Sequence, residues 1–223
     1  MTIFLDDWDY RHFIQLLRQV VEDFDIECWN YCAMPNHYHA TLRPRLPNIS
    51  KAIQHLNGCY AQWWNRRHKK VGHVFQGRFK AQLVQRDGYA LALARYVALN
   101  PVRAGLVPRP EKWRWSSYAT TIGLRPHLSF LAVDATLGLV GDATRTTLQK
   151  RFTDFVLDDG DDEATDDRIR SADRVLGDVA FRRAWTQHPL PVGRKQILTE
   201  HPLAGSAVES AGSDAGQVIA APQ

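Results

Sequence analysis

Two histidines, His37 and His39, stand on either side of Tyr38 in a short segment rich in aromatic and small apolar residues. Residues 26 to 33 have the same character, and a Pro-Asn pair separates the two segments, which predicts two antiparallel strands joined by a tight turn. Because successive side chains of a strand point to opposite faces, the two imidazoles would share one face and Tyr38 the other. This spacing suits a divalent metal, although a pair of hydrogen-bonded surface histidines has the same pattern.

A tyrosine and an asparagine four residues apart form a second candidate group. The apolar pattern before them predicts a helix that begins behind Asp87 and ends at Asn100-Pro101, because proline restricts the residue that precedes it. Tyr96 and Asn100 would lie on one face of this helix, one turn apart, and would offer a phenol and an amide oxygen together. The alternative is that Tyr96 is a core aromatic and Asn100 is a C-terminal cap.

Positive charge is concentrated between residues 61 and 120. The whole chain carries a net charge of +4, but this stretch holds twelve Lys and Arg against only Asp87 and Glu111, a local balance of +10. Such a concentration is typical of a surface that binds nucleic acid, the alternative being a solvated basic face. Aromatic residues among these charges could stack on bases. They include Trp63, Trp64, Phe75, Phe79, Trp113 and Trp115.

The spacing of apolar residues predicts the elements that position these groups. A first amphipathic helix should cover Tyr10 to Phe24, a second should run from Ile49 into the basic cluster 66–70, and a further strand should cover 79–84. The order helix, strand, strand, helix, strand, helix predicts an α+β fold. We expect a ferredoxin-like antiparallel sheet with helices on one face, in which the first strand is missing.

The remainder of the chain differs in character. Its 223 residues would divide into a domain at 1–125, a small helical appendage at 126–190 and a tail at 191–223 that we expect to be disordered. Within the appendage, Val175 to Trp185 could form a helix, after an acidic run that begins at Asp158.

The composition of the chain indicates the cellular location of the protein and the role of its cysteines. No apolar stretch approaches the roughly 18 residues that suggest a membrane span, and the first residues have no signal-peptide pattern. We therefore expect a cytoplasmic protein with no membrane partner. Cys28, Cys32 and Cys59 form no metal-binding pair, and we interpret them as small buried apolar residues.

Four blocks occur in an order that identifies a family resemblance. They are Met34-Pro-Asn-His-Tyr-His39, Gly72-His-Val-Phe-Gln-Gly-Arg-Phe-Lys80, Arg95-Tyr-Val-Ala-Leu-Asn-Pro-Val-Arg-Ala-Gly105 and Trp115-Ser-Ser-Tyr118. Together they resemble the single-tyrosine transposases of the HUH superfamily, the insertion-sequence 200-like family, and especially its REP-associated branch. Such proteins usually carry a Tyr-His-Val-Thr strand before the first helix. That strand is the one missing from the predicted sheet, which would then lose its central pairing partner.

The resemblance implies a chemistry for the candidate residues. His37 and His39 would be the metal pair, Asn100 would complete the metal site, and Tyr96 would be the nucleophile that forms a 5′-phosphotyrosine link. The metal would be Mg²⁺ or Mn²⁺, since these ions bind phosphate oxygens and Mn²⁺ tolerates imidazole. The substrate would be single-stranded or hairpin DNA, and the protein a monomer or homodimer. Our choice for contacts to the DNA backbone is Arg66, Arg67, Lys69, Lys70, Arg78 and Lys80.

Two other functions remain open. Without the first strand the protein could be a catalytically inactive regulator that retains salt-dependent DNA binding. A metal-dependent hydrolase built on the histidine pair would use water as its nucleophile and would tolerate replacement of Tyr96.

Overall fold

The first helix begins where the sequence places acidic residues ahead of an apolar stripe. In a computed structural model, Asp6 caps α1 (Asp7–Asp23), since its carboxylate accepts hydrogen bonds from the backbone N–H groups of Trp8 and Asp9.

The structure describes residues 2–77, 79–86, 88–158, 167, 169, 175–186 and 215–221; for residue 186 and residues 215–221 it describes the backbone alone.

Helices and strands follow in the order that the sequence predicts as far as the third helix. The predicted α+β class is confirmed. In chain order, the elements after α1 are β1 (Ile26–Met34), β2 (His37–Pro44), α2 (Ile49–His68), β3 (Lys80–Gln85), α3 (Gly88–Arg103), α4 (Tyr118–Thr121), α5 (Val133–Leu137), α6 (Arg145–Leu157), β4 (Val175–Leu176), α7 (Val179–Thr186) and β5 (Ala215–Ala221).

The third helix is longer than the sequence predicts. It continues through Pro101 to Arg103 instead of ending at Asn100-Pro101. Proline lacks one N–H group, but its fixed φ is compatible with a helix, so a proline in the last turn removes a single hydrogen bond. Helical hydrogen bonding continues past Pro101, because the backbone N–H of Ala104 donates to the carbonyl of Asn100 over 2.9 Å.

One mixed sheet has the order β1-β2-β5-β3-β4. The strands β1 and β2 are antiparallel, as predicted, and the pair Met34 and His37 flanks their two-residue turn. The strand β5 is antiparallel to both β2 and β3, whereas β4 is parallel to β3. The sheet is therefore not wholly antiparallel, which corrects the prediction in that respect.

The central strand of the sheet comes from an unexpected part of the chain. Residues 215–221 lie in the segment predicted to be disordered, but they form β5. The other residues of the segment 191–223 lie outside the described residues. A strand between two others can bond along both edges, which offsets the loss of backbone freedom. The sheet thus has a strand at its centre, where the sequence analysis expected a pairing partner to be lost.

Helices cover both faces of the sheet, whereas the sequence predicted helices on one face. On one side, Tyr38 contacts α1 through Phe13, with ring centroids 4.6 Å apart, and its hydroxyl donates to Asn57 of α2 over 2.8 Å. On the other side, Tyr96 of α3 lies against His39, with ring centroids 5.7 Å apart. The strand β2 is therefore buried between two layers of helix.

The segment predicted to be an appendage shares the main core. Leu131, Leu137, Phe152 and Val156 are buried in the same cluster as the apolar stripe of α1. Val175 and Leu176, which the sequence predicted to be helical, form β4 instead, because β3 offers them an open edge. The domain boundary at residue 125 stays a prediction.

Two of the three cysteines are fully buried, in agreement with the sequence. Cys28 and Cys32 each have 0% exposure, while Cys59 is half-buried with its sulfur 3.5 Å from Nε2 of His55. All three are free thiols. Among the described residues, no helix has the length and apolar character needed to cross a membrane.

Candidate functional site

The two histidines share one face of β2, as the sequence predicts. Nε2 of His37 and Nε2 of His39 lie 3.0 Å apart. Across the β1–β2 pair, His37 stands opposite Met34 and His39 opposite Cys32. Because directly paired residues of antiparallel strands point to the same side, sulfur side chains and the imidazoles line this face together. The strand thus fixes the spacing of the two ring nitrogens.

Burial favours the neutral form of both imidazoles. It lowers the pKa of His37, and it lowers the pKa of His39 to about 3, with a smaller contribution from the neighbouring charge of His37. Nδ1 of His37 lies 2.8 Å from the side-chain oxygen of Asn36. When Nδ1 carries the proton and donates to this oxygen, Nε2 presents a lone pair. A neutral imidazole with an available Nε2 is the form that binds metal ions.

The spacing of the two Nε2 atoms fits adjacent ligands of a divalent ion. Two adjacent ligands at about 2.1 Å from an octahedral ion are about 3.0 Å apart, the separation found between His37 and His39. Among the described residues, no group of three or more His, Cys, Asp or Glu side chains could hold a metal ion. Within the described part of the chain, further ligands would come from an amide oxygen, with water or a substrate phosphate completing the set.

Tyr96 is half-buried on α3 and meets the histidine pair within one chain. Its ring stands edge-on to His39 at an interplanar angle of 83°, and the guanidinium carbon of Arg103 lies 5.4 Å from the centre of the tyrosine ring. Arg103 lies seven residues after Tyr96, two turns along the same helix face. Sequence reasoning did not select Arg103, although this spacing could have identified it.

The side chain of Asn100 forms a hydrogen bond within its own helix. Its side-chain N–H donates to the carbonyl of Tyr96 over 2.8 Å. Because α3 continues past Asn100 to Arg103, Asn100 is not the C-terminal cap that the sequence offered as the alternative. The amide oxygen of Asn100 is the atom that could bind a metal. Within the described part of the chain, the histidines bond to Asn36 and to each other and not to Asn100. The role of Asn100 as a ligand stays a prediction.

The cations chosen for DNA binding have different surroundings. Arg66, Lys69 and Lys70 are exposed at the end of α2, and Lys80 is exposed at the start of β3. Arg78 lies outside the described residues.

Arg67 is held by acidic side chains of α1. Its guanidinium donates to both oxygens of Asp6, over 2.9 and 2.6 Å, and to Asp9. It also lies 5.5 Å from the centre of the Trp63 ring. These contacts give Arg67 a structural role, and any contact with DNA would compete with them.

Asp9 is a buried carboxylate that sequence reasoning missed. It has 0% exposure, and besides Arg67 it binds the backbone N–H of Leu5 over 2.7 Å and Nε2 of His68 over 2.9 Å. Asp9 precedes Phe13 and Leu17 at intervals of four residues, so it lies on the buried stripe of α1. A carboxylate on an apolar stripe was the signal that could have revealed it.

The basic end of α2 lies at the same end of the sheet as the histidine pair. Arg67 binds Asp6, and the nearby backbone N–H groups of Ile3 and Phe4 both donate to the carbonyl of Pro35, over 2.9 and 3.1 Å. Pro35 belongs to the turn that leads directly into His37. This series of contacts brings the exposed cations toward the turn next to the candidate site.

Most aromatic residues of the basic stretch belong to the core. Trp64 and Trp115 are buried, and Trp63 is half-buried with its ring stacked on His12 at a centroid distance of 3.9 Å. Phe75 and Trp113 pack against the main core. The sequence predicted that these rings could stack on bases, but the fold uses them for packing.

Comparison with known proteins gives one match. No curated protein and no solved structure matches the chain at a significant level. Residues 2–100, somewhat less than half of the chain, match the family model described as "Transposase IS200 like". This region contains His37, His39, Tyr96 and Asn100. Over residues 2–100 the chain is therefore similar to IS200-like transposases.

Proposed function

We propose that this protein cleaves and rejoins single-stranded or hairpin DNA, with Tyr96 as the nucleophile and a divalent metal held by His37 and His39. The observation that carries the proposal is the meeting of three side chains on one face of β2. Nε2 atoms 3.0 Å apart lie beside the ring of a half-buried tyrosine. A nucleophile and a pair of metal ligands are the parts that phosphodiester transfer requires.

The histidines would hold Mg²⁺ or Mn²⁺, with the amide oxygen of Asn100 as the expected third protein ligand. The ion would supply positive charge next to the scissile phosphate and so favour the charge that builds up on its oxygens. His37 and His39 suit this role because burial favours their neutral form and their Nε2 atoms have the spacing of adjacent ligands. The hydrogen bond from Nδ1 of His37 to the side-chain oxygen of Asn36 would keep the first ring in its binding orientation.

Tyr96 would attack the phosphorus after its hydroxyl releases its proton to water, which in turn supplies the proton taken up by the leaving oxygen. A bond forms between the phenolic oxygen and phosphorus, and the bond from phosphorus to the 3′ oxygen breaks. The leaving oxygen takes a proton and becomes a free 3′ hydroxyl, while the 5′ phosphate stays on the tyrosine. Attack of a 3′ hydroxyl on this link reverses the step and rejoins DNA without a nucleotide cofactor. The Arg103 guanidinium, 5.4 Å from the tyrosine ring, could hold a phosphate oxygen during both steps.

DNA would reach this site over the basic end of α2. Arg66, Lys69 and Lys70 are exposed there, at the end of the sheet where the turn leads into His37. Cations at such a place would bind the phosphates on either side of the cleaved bond, and the binding would weaken with salt.

The test is the formation of a covalent link between the protein and labelled hairpin DNA in the presence of Mn²⁺. The wild-type protein should become attached to the 5′ side of the break. Tyr96→Phe should form no adduct while it binds DNA nearly as well, because only a hydroxyl group is removed. Tyr89→Phe is the matched control, since Tyr89 is a half-buried tyrosine of the same helix.

Three other outcomes of this experiment would indicate a different nucleophile or a different function. An adduct in the Tyr96→Phe variant would show that another tyrosine is the nucleophile. Cleavage by that variant without any adduct would favour a hydrolase. Binding of DNA with no cleavage by the wild-type protein under these conditions would favour a regulator, and all three results would contradict the proposal.

A further inference from the structure

The two strands that flank the centre of the sheet are joined only through β5 in the described sheet order. Ala40, Thr41 and Leu42 of β2 pair with residues 218–220, and Lys80 to Gln85 of β3 pair with residues 215–221. The β2 and β3 strands are therefore separated by the width of one strand. The groove between them has hydrogen-bonding groups on both sides.

The amino acids of β5 are those of an interior strand of a sheet. Its sequence, Ala-Gly-Gln-Val-Ile-Ala-Ala, has no charged residue and no proline. Strands covered on both faces are typically continuous apolar runs, whereas strands with one wet face alternate apolar and polar residues. Helices α1 and α2 lie on one side of β2 and α3 on the other, as the contacts of Tyr38 and His39 show. Residues 218–221 of β5, which pair with β2 and β3, form such an apolar run.

The position of β5 along the chain separates it from both neighbours. Its partners in β2 and β3 lie more than 120 residues earlier, and every other described element precedes it. Contacts between such distant parts of the chain form late, because closing a long loop costs conformational entropy before any contact compensates for it. The core shared by α1, α2 and α6 is built from residues that precede β5 in the chain, such as Phe13, Leu56 and Phe152.

We propose that the groove between β2 and β3 is a binding site for an extended peptide strand, and that its occupant is residues 215–221 of the same chain. The segment docks antiparallel to both neighbours after the remainder of the protein has folded. By pairing with Ala40, the residue next to His39, it orders the strand that carries the histidine pair. This inference concerns a peptide-binding site and does not depend on the proposed DNA chemistry.

Hydrogen exchange of the full-length protein tests the proposal with two variants of one residue. Ile219→Pro removes a backbone N–H at the centre of β5, and Ile219→Val keeps an apolar β-branched residue as the matched control. The proline variant should increase exchange at residues 40–42 and 82–84 by about tenfold or more, because these amides lose their partner strand. The valine variant should exchange like the wild-type protein. Exchange that stays unchanged in the proline variant would overturn the proposal.

A second measurement detects binding directly. A protease site introduced between Gly205 and Ser206 allows the chain to be cut there after the full protein has folded. The C-terminal fragment should then co-elute with the rest of the protein, and an excess of labelled peptide with the sequence of residues 214–223 should replace it. A fragment that elutes alone, with exchange at 40–42 unchanged, would overturn the proposal. A dimer whose formation requires residues 215–221 would overturn the assignment to the same chain.

Discussion

The two faces of β2 are built from alternate residues of one strand, and they have opposite properties. Tyr38, Ala40 and Leu42 are almost completely buried against the layer formed by α1 and α2. The only polar group among these three side chains, the hydroxyl of Tyr38, has a partner in Asn57. On the other face, the imidazoles of His37 and His39 point toward each other and have α3 as their neighbour.

This difference shows how one strand can serve stability and chemistry together. The first face satisfies its polar groups inside the protein, so its residues contribute to the free energy of unfolding. The second face holds two ring nitrogen atoms 3.0 Å apart, an arrangement that a bound cation would stabilise. Replacing residues on the two faces should therefore separate loss of stability from loss of activity.

The largest effect on activity should come from His39→Gln. The variant should lower the rate of covalent adduct formation by more than about 100-fold, since residues that merely orient metal ligands already contribute 10- to 100-fold. Its free energy of unfolding should change by no more than about 1 kcal/mol. Adduct formation on a gel and urea denaturation measure the two quantities. A loss of stability large enough to explain the loss of activity would remove the distinction between the faces.

Leu42→Ala tests the opposite face. Leu42 has 0% exposure in the main core, and truncation of such a side chain typically costs about 2–5 kcal/mol through lost burial and the cavity that remains. The midpoint of urea denaturation should fall accordingly, while activity per folded molecule at low temperature should stay near that of the wild-type protein. Leu42→Met, which conserves volume, should cost less than about 1.5 kcal/mol. Equal losses in both variants would argue against tight packing on this face.

Two adjacent arginines provide a comparison at the edge of the α1–α2 layer. Arg67→Ala leaves the buried Asp9 carboxylate without its guanidinium partner, and we expect a loss of about 2–3 kcal/mol because Arg67 itself is 28% exposed. Arg66→Ala should change stability by less than about 0.5 kcal/mol. It should instead reduce the slope of log binding constant against log salt by about 0.7 for single-stranded DNA. Thermal denaturation measures the stability of each variant, and titration with DNA at several salt concentrations measures the slope. A larger loss of stability in Arg66→Ala, with a larger change of slope in Arg67→Ala, would show that the two roles are reversed.

The smallest effect should be a dependence of stability on pH. The hydrogen bond from Arg67 holds the pKa of Asp6 below its ordinary value of 3.8. This carboxylate therefore stabilises the folded protein above the unfolded-state pKa, and the contribution disappears as the pH falls through the lower folded-state value. Asp6→Asn keeps a side chain that can cap α1. It should be less stable than the wild-type protein at pH 7 and equally stable near pH 2. A difference that persists at the low pH would assign the effect to the helix cap.

The local parts of the site could be predicted from the sequence because they depend on short-range geometry. The alternation of a strand is enough to place His37 and His39 on one face and Tyr38 on the other. Helical spacing is enough to bury Phe13 and Leu17 and to put Arg66 at the end of a helix. These patterns repeat within a few residues, so they do not require knowledge of where other segments lie.

Tertiary structure decided which partners these residues meet. Arg66 and Arg67 are neighbours of the same type, but only Arg67 reaches Asp6 and Asp9, because α1 packs beside it. The strand β5 is a stronger example of partners that the sequence alone does not determine. Its seven residues have little intrinsic preference for order, and two strands more than 120 residues away supply the hydrogen bonds that make it the centre of the sheet.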